Sequence, residues 1–436
     1  MLDAALGRAW TDDRPWDLLT ELTDIGGRLG GSPAERAAAD LLIDALDDAG
    51  VREVAADPFP TRAWRRGDSR LERGGTVHGT VALPYAPPAD VAGDLVDVGH
   101  GLPGEIPNDL DGAVAVASTD TPPGSRFVHR LETFGAAVEA GAEGFVFANH
   151  RPGQLPPTGT LGFDAEAPAP GVGVSHETGE RLRANGGGDD GSEEVRLVVE
   201  SETVAGESRN VVGRVGPRTA EEVVLVAHYD AHDVGEGALD NGCGVAVAVA
   251  AAALLAAGEP DLERGVRVAL VGCEETGLVG SEHLADGLDL DRVAGVVNVD
   301  GAGRDRDLVA MSHASDATRA VAERVADRTG HPVPVRERPH PFSDQWPFVR
   351  RGVPALQLHS GGGERGRGWT HTAADTRDKV DRRDLREHAM LAALLVVGMA
   401  GADLPRLETD ALVRALRDAE YETGMRAAGL WPDEWD

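Results

Sequence analysis

The second half of the chain alternates short, continuous apolar runs with longer helical segments. The runs at 223–227, 266–271, 293–299 and 353–358 are mostly Val, Ala and Leu, and the apolar stretch 245–257 lies between the first two as a candidate helix. Strands without polar alternation are buried on both faces, and parallel strands need crossovers that are usually helical. The pattern therefore predicts an α/β fold with a mixed, mostly parallel central sheet covered by helices on both faces.

The first half has a different texture. Residues 12–50 predict two helices, because glycines at 26–27 and 30–31 interrupt an otherwise helical pattern. The stretch after about 75 carries short strand-like runs separated by Pro, Gly and Asp, with one clear helix at 127–142. We expect the domains to be N-terminal helices with a first strand at 1–74, a strand-rich insert at 75–205, the main domain at 206–402, and a C-terminal amphipathic helix with an acidic tail at 403–436.

The chain is strongly acidic, with 74 Asp and Glu against 42 Lys and Arg and a net charge of -32. Lys379 is the single lysine. Such a surface disfavours nucleic acid and anionic membranes, which bind basic patches. Salt shortens the Debye length to about 3 Å at 1 M, so this self-repulsion is tolerable in concentrated salt. The composition resembles that of proteins from halophiles that accumulate salt.

Cysteine content and apolar segments bear on the compartment. Cys243 and Cys273 are too few for a disulfide framework. Residues 1–10 contain no basic stretch before an apolar run, so no signal peptide is predicted. The longest apolar run, 245–257, is shorter than the roughly 20 residues of a transmembrane helix. We therefore expect a cytoplasmic protein, whose oligomeric state the sequence leaves open.

Residues able to bind metal ions follow the predicted strands. In open α/β sheets, ligands bind beyond the carboxyl ends of the strands. Any one of these residues alone is a weak signal, but their order along one sheet is not expected by chance. They are, in chain order, His228, Asp230, Asp240, Glu274, Glu275, Asp300 and His371.

This set has the chemistry that zinc prefers, namely imidazole nitrogen and carboxylate oxygen. Two ions roughly 3.5–4 Å apart can share one carboxylate. We therefore predict two zinc ions, although cobalt or manganese could use the same ligands. His228 and Asp300 are assigned to one ion, Glu275 and His371 to the other, and Asp240 to a bridging position.

Two further acidic residues receive catalytic roles. Glu274 is predicted to be the general base that takes a proton from the attacking water and passes it to the leaving amine. Asp230 stands two residues from His228, too close to bind the same ion comfortably, and is predicted to orient that histidine. His232 and Asp233, which follow the same motif, are interpreted as loop residues.

These motifs together resemble the MH-clan zinc aminopeptidases, a family that also includes glutamate carboxypeptidase, glutaminyl cyclase and the catalytically silent transferrin receptor. The resemblance covers residues 207–400, and the insert at 75–205 is similar to a protease-associated domain. It implies a zinc exopeptidase acting on peptides. The motifs are His228-Tyr229-Asp230, Gly237-Ala238-x-Asp240-Asn241-Gly242, Glu274-Glu275-x-Gly277-x-x-Gly280-Ser281, Asn298-x-Asp300 and His371-Thr372-x-x-Asp375-Thr376.

The sequence departs from the family at two positions and leaves alternatives open. Gln345 stands where many members carry His, and no tyrosine occupies the usual oxyanion-stabilising position, so His340 is proposed as that donor. Aminopeptidase activity is favoured as the commoner one in the family. Carboxypeptidase activity would be favoured if Arg365 and Arg367 gripped a substrate carboxylate. A one-zinc cyclotransferase and a non-catalytic receptor-type protein are the remaining alternatives.

Overall fold

The computed structural model describes residues 2–102, 104–122, 124–184, 194–258, 260–362 and 368–436. Its helices are α1 Leu2–Ala9, α2 Arg14–Ile25, α3 Pro33–Asp48, α4 Arg130–Glu139, α5 His176–Ala184, α6 Cys243–Gly258, α7 Val279–Asp286, α8 Asp316–Thr329, α9 Trp346–Val349, α10 Arg382–Gly401, α11 Thr409–Asp418 and α12 Glu422–Ala427. Its strands are β1 Arg52–Arg73, β2 Thr76–Gly79, β3 Val81–Ala82, β4 Ala89–Asp97, β5 Val114–Ser118, β6 Gly144–Ala148, β7 Gly171–Val174, β8 Glu194–Val215, β9 Glu222–His228, β10 Gly265–Val271, β11 Val293–Val299, β12 Leu308–Met311, β13 Val335–Arg336 and β14 Ala355–Ser360.

The chain divides into two compact units. The first unit contains residues 1–61, 207–370 and 375–416, and the second contains residues 62–206, 371–374 and 417–436. Strands β1 and β8 are long enough to contribute to both.

The sheet of the first unit has the strand order β13-β12-β14-β11-β9-β10-β8. Strands β9, β10, β11 and β14 run parallel, while β12 is antiparallel to β14 and β8 is antiparallel to β10. The predicted mixed, mostly parallel sheet is therefore confirmed. Its parallel strands end at one common edge, where the loops after β9, β10 and β11 begin.

Helix α6 lies in the centre of the first unit. It packs against α10, α1, α2 and β9, and nearly every residue along it is buried. This confirms the predicted buried helix at 245–257. Ala238–Gly258, among the described residues, is long and apolar enough to cross a membrane, but 78% of its most apolar window lies inside the protein, as in a core helix.

The helix boundaries follow local capping signals. The two helices predicted within 12–50 are α2 and α3, and α3 begins where the Ser32 hydroxyl accepts a hydrogen bond from the Glu35 amide, with Pro33 in the first turn. The predicted C-terminal helix is in fact two short helices, α11 and α12. Helices α1 and α8 and strand β12 have no counterpart among the predicted elements.

The second unit has its own mixed sheet. Strands β4, β5, β6 and β7 are parallel, β3 is antiparallel to β7, and the first half of β8 is antiparallel to β4. Helix α4 lies within the one helix predicted at 127–142, whereas α5 was missed because its sequence is largely polar. Phe134 and Phe145 stack edge to face in the core of this unit.

Candidate metal centre

Three of the predicted ligands lie together at the edge of the first unit's sheet. His228 is the last residue of β9, Asp300 directly follows β11, and Asp240 lies in the turn before α6. The His228 Nε2 atom is 3.5 Å from Asp240 Oδ1 and 3.9 Å from Asp300 Oδ1. All three side chains are buried, and their potential ligand atoms lie within 4.8 Å of one another.

The turn that carries Asp240 is fixed from two sides. Asp375 accepts hydrogen bonds from the Leu239 amide at 2.6 Å and from the Asp240 amide at 3.1 Å. The Asn241 side chain donates to the Val299 carbonyl at 2.8 Å, and its oxygen accepts from the Gly301 amide at 2.9 Å. The Asp240 turn is thus joined directly to the residues on either side of Asp300.

Asp300 is held by a network of polar side chains, of which Gln357 was not indicated by the sequence motifs. Its Oδ2 atom accepts hydrogen bonds from Ser343 Oγ at 2.7 Å and from Gln357 Nε2 at 3.3 Å. Asn298 in turn donates to Ser343 Oγ and to Gln345 Oε1, both at 2.7 Å. Gln345, where many family members carry His, therefore belongs to the network that supports Asp300.

Arg304 is a second residue that the sequence did not indicate. Its Nη2 atom lies 2.7 Å from Asp240 Oδ1 and 3.4 Å from Asp300 Oδ1, and its Nε donates to the Leu239 carbonyl. His388 of α10 accepts from the Gly303 amide at 2.8 Å and thereby fixes the turn that presents Arg304. The only sequence signal for Arg304 is its position four residues after Asp300.

The turn after β10 carries Glu274 and Glu275. Their two successive amides donate to the two oxygens of one carboxylate, that of Asp230, at 3.0 and 3.1 Å. Asp230 Oδ1 is also 3.5 Å from His228 Nδ1, on the far side of the ring from Asp240. Asp230 thus connects the first ligand to the turn that bears the predicted general base.

A second group of potential ligands consists of His232, Glu275 and His371, again with ligand atoms within 4.8 Å of one another. The Nε2 atom of His232 lies 3.0 Å from Glu275 Oε2. The sequence interpretation treated His232 as a loop residue, but the structure places its buried side chain beside a predicted ligand. The position of His232, two residues after Asp230, is the sequence signal for this placement.

Electrostatics of the site favour a positive charge. Burial disfavours the charged imidazole of His228, but the surrounding carboxylates of Glu274, Asp230, Asp240 and Asp300 outweigh it and raise its pKa well above the usual value. Carboxylates concentrated in a buried pocket attract any cation, including a divalent metal.

The predicted general base lies in the same field. Burial raises the pKa of Glu274 well above its usual range, and the neighbouring Glu275, Asp344 and Asp300 raise it further, despite the opposing effect of His228. Burial likewise raises the pKa of Asp344 to about 7. A carboxyl group with a raised pKa is a stronger base, as a proton acceptor near neutral pH needs to be.

His340, Arg365 and Arg367 are the remaining residues with a predicted role. The His340 backbone amide donates to His313 Nδ1 at 3.2 Å, and the His340 backbone carbonyl accepts from Gln345 Nε2 at 2.7 Å. The His340 backbone is thereby hydrogen bonded to the network that supports Asp300. Its role as an oxyanion donor stays a prediction. Arg365 and Arg367 lie outside the described residues.

The donor set fits zinc. Ligands bound to a tetrahedral zinc ion at 2.0–2.2 Å are roughly 3.4 Å apart. The separations of His228 from Asp240 and Asp300 are close to this value. Nitrogen and carboxylate ligands in two adjoining groups are also the chemistry of two-metal hydrolytic sites. His228, Asp240 and Asp300 would hold one ion, and Glu275 with His371 and His232 would surround the other.

A mixed α/β sheet, with His and carboxylate side chains grouped beyond the carboxyl ends of its strands, defines a class of α/β proteins that can bind metal ions at this edge. Comparison with known families narrows this class, because residues 210–396 match the model for peptidase family M28. This match agrees with the family that the sequence motifs resemble.

Individual relatives agree with this assignment. The chain is 31% identical over 293 residues to a probable lipoprotein aminopeptidase, LpqL, of Mycobacterium tuberculosis, covering 64% of this chain and 56% of the relative. It thus spans little more than half the length of that protein. It is 24% identical to the aminopeptidase YwaD of Bacillus subtilis, covering 87% of this chain and 83% of the relative. A solved zinc aminopeptidase from Bacillus subtilis superposes with a TM-score of 0.71 at 23% identity, covering 88% of this chain and 94% of that one.

Proposed function

We propose that the protein is a co-catalytic metallo-aminopeptidase that removes N-terminal residues from peptides. The observation that carries the proposal is the pair of candidate ligand groups, His228 with Asp240 and Asp300 and Glu275 with its histidines. The half-buried Glu274 directly precedes Glu275. The match of residues 210–396 to family M28 and the aminopeptidase relatives support the same reaction.

The metal ions, Glu274 and Asp230 have separate roles in the proposed reaction. The bound ions would lower the pKa of a water molecule and polarise the scissile carbonyl. Glu274 takes the proton from the attacking water and returns it to the amine that leaves. Asp230 keeps the His228 ring in place and, through two backbone amides, sets the direction of the Glu274 side chain.

The test is a substrate panel with a metal count. Purified protein, loaded with zinc, is assayed against aminoacyl reporters, carboxy-terminal reporters and N-terminal glutaminyl peptides. Hydrolysis of the aminoacyl reporters by protein that holds two zinc ions per chain is expected. Release of C-terminal residues would favour a carboxypeptidase, cyclisation with one zinc ion would favour a cyclotransferase, and absence of both metal and turnover would favour a receptor-type protein.

We further propose that the second unit is a protease-associated-like module. The support is its position in the chain, directly before the M28 segment, and its sheet of parallel strands flanked by α4 and α5. Removal of such a module changes access to peptides more than chemistry, so its role is tested by comparing KM for dipeptide and longer substrates before and after its deletion.

The acidic composition supports a proposal about working conditions. With a net charge of -32 and one lysine, the chain repels itself in dilute buffer. We propose that folding and activity require molar salt, inside a cell that accumulates it. Thermal unfolding at 0.1, 1 and 3 M KCl is expected to show a midpoint that rises with salt, and a midpoint independent of salt would contradict the proposal.

A further inference from the structure

Residues 26–35, at the junction of α2 and α3, place two ionisable side chains inside the first unit. Arg28 is completely buried and Glu35 is 1% exposed. Both precede the M28 segment by more than 170 residues in the chain. Buried charged groups are costly unless they are fully hydrogen bonded, so their partners indicate what they do.

Arg28 donates only to backbone carbonyls, and most of them belong to the loop that joins the ligands His228 and Asp240. Its guanidinium donates to the carbonyls of Tyr229 at 3.0 Å, Glu236 at 2.8 Å and Gly237 at 3.0 Å, and to one carbonyl of α2. Its own carbonyl accepts from the Ala231 amide at 3.1 Å. The rigid fork of one guanidinium thus ties both ends of the loop together.

Glu35 reaches the turn that carries the predicted base. Its Oε1 atom accepts hydrogen bonds from the Cys273 amide at 3.1 Å and from Ser208 Oγ at 2.9 Å, and its Oε2 accepts from the Gly31 amide at 2.6 Å. Cys273 has a φ of 58°, in the left-handed region that side chains other than glycine rarely adopt. The next two amides are those of Glu274 and Glu275. Glu35 therefore holds the residue whose unusual conformation turns those amides toward Asp230.

The glycines of the same segment permit this close packing. A Cβ atom at Gly30 would lie 2.7 Å from Cys273 Sγ and 2.8 Å from Thr276 Oγ1. A Cβ atom at Gly27 would lie 2.3 Å from the Asp233 Cα. The glycines that divide the two N-terminal helices are thus required where the segment touches the loops after β10 and β9.

We propose that residues 26–35 are a positioning segment of the metal centre, in which Arg28 sets the loop between the ligands His228 and Asp240 and Glu35 sets the Glu274–Glu275 turn. The inference rests on the proposed function for its effect on turnover, but not for its effect on metal coordination. Neither residue touches substrate or metal. Each acts by fixing backbone from which the reacting side chains project, where displacements of about 1 Å can cost on the order of a hundredfold in rate.

Glu35→Gln is the first test, because the amide keeps the shape but offers one acceptor oxygen where two backbone amides need one each. We expect kcat to fall about tenfold, KM to change less than about twofold, and two zinc ions to be retained. Adding Cys273→Gly should restore kcat to within about threefold of the native protein, because glycine adopts the required conformation without help. Glu21→Gln, on the exposed surface of α2, is the matched control.

A second readout does not depend on turnover. In cobalt-substituted protein, the visible absorption bands report the coordination geometry. Glu35→Gln should therefore shift these bands, and the double variant Glu35→Gln with Cys273→Gly should show them at the native wavelengths. Arg28→Lys keeps the charge but loses the fork, and we expect Co²⁺ to bind about tenfold more weakly, with Arg36→Lys as the exposed control.

The outcomes separate the two proposals. Native protein that binds two cobalt ions but hydrolyses no aminoacyl reporter would contradict the proposed function and leave the positioning segment testable by the spectra. Unchanged spectra and kcat in Glu35→Gln would overturn the positioning role, as would losses that follow the unfolding midpoint and are not restored by Cys273→Gly. If Arg28→Lys does not fold, Gly30→Ala supplies the second variant, and an unchanged spectrum there would count against the role of the segment at the Glu274–Glu275 turn.

Discussion

The two sides of the candidate metal centre are held in different ways. On the Asp300 side, the network of Asn298, Ser343 and Gln357 acts on the ligand's own carboxylate, so one oxygen is fixed and the other faces His228. On the Glu274 side, the fixed atoms are backbone amides bound to Asp230. One side therefore immobilises a ligand atom, while the other aims a side chain that has to exchange a proton. The difference suits a metal ligand on one side and a general base on the other.

The most severe test removes a carboxylate from the first group of candidate ligands. Asp240→Asn lowers the negative charge beside His228 and removes the predicted bridge. We expect activity to fall below detection and zinc content to fall below two ions per chain after dialysis against a weak chelator, as measured by atomic emission. Asp261→Asn, an exposed substitution, is the control. Two retained ions would remove Asp240 from the ligand set.

The Glu274 side is tested by Glu274→Gln. The amide keeps the packing but cannot accept the proton, so turnover should fall by about 10³-fold, within the usual range for a general base. Zinc content should stay at the native value, in contrast to Asp240→Asn. Glu263→Gln on the surface should be silent. Near-native turnover in Glu274→Gln would assign proton transfer to another group.

The Asp300 side is tested by Ser343→Ala. Loss of the hydroxyl leaves Asp300 Oδ2 with a weaker set of donors, and such supporting contacts typically change metal affinity 10–100-fold. We expect zinc affinity, measured by competition with a chromophoric chelator, to weaken by about tenfold while kcat at saturating zinc changes little. Ser69→Ala in the second unit is the control. A fall in kcat without a change in zinc affinity would contradict the proposed difference between the Asp300 side, which supports metal binding, and the Glu274 side, which supports turnover.

The smallest effect concerns stability behind the Asp300 side. His313 is completely buried, and burial together with His340 lowers its pKa to about 3. Because the unfolded chain takes up this proton near pH 6.5, the folded protein should lose stability as pH falls from 6.5 toward 3, by at most about 1.4 kcal/mol per pH unit.

His313→Gln should therefore flatten the fall of the thermal midpoint between pH 7 and pH 5, measured at constant salt. The half-buried His176→Gln in the second unit should leave that slope unchanged. Equal slopes for native protein and His313→Gln would mean that His313 is protonated in the folded state.

The sheet and the spacing of its ligands could be predicted because both depend on local sequence. Apolar runs without polar alternation identify β9, β10 and β11, and their ends identify His228, Glu275 and Asp300. Arg304 and Gln357 could not be found this way, since a single arginine or glutamine acquires its role only from residues brought close by the fold. The left-handed conformation of Cys273 has no sequence signature at all, because side chains other than glycine seldom adopt it.

Short helices rich in polar residues are the second feature that the sequence does not predict. Helices α5 and α8 are rich in polar and charged residues, so neither stands out as an apolar segment of the sequence. The local signals for α8 are its capping residues, Ser315 before the first turn and Gly330 after the last. The proximity of His232 to Glu275 depends in the same way on how two loops meet, so the sequence does not show it.

Arg28 and Glu35 lie upstream of the segment that matches family M28. The residues that support the metal centre therefore extend beyond the segment by which the family is recognised. A recombinant fragment beginning near residue 207 would retain every candidate metal ligand and lose both side chains that hold their loops. Engineering such enzymes by exchanging domains at the family border would separate ligands from their supports, so grafts should carry the preceding helical pair along with the sheet.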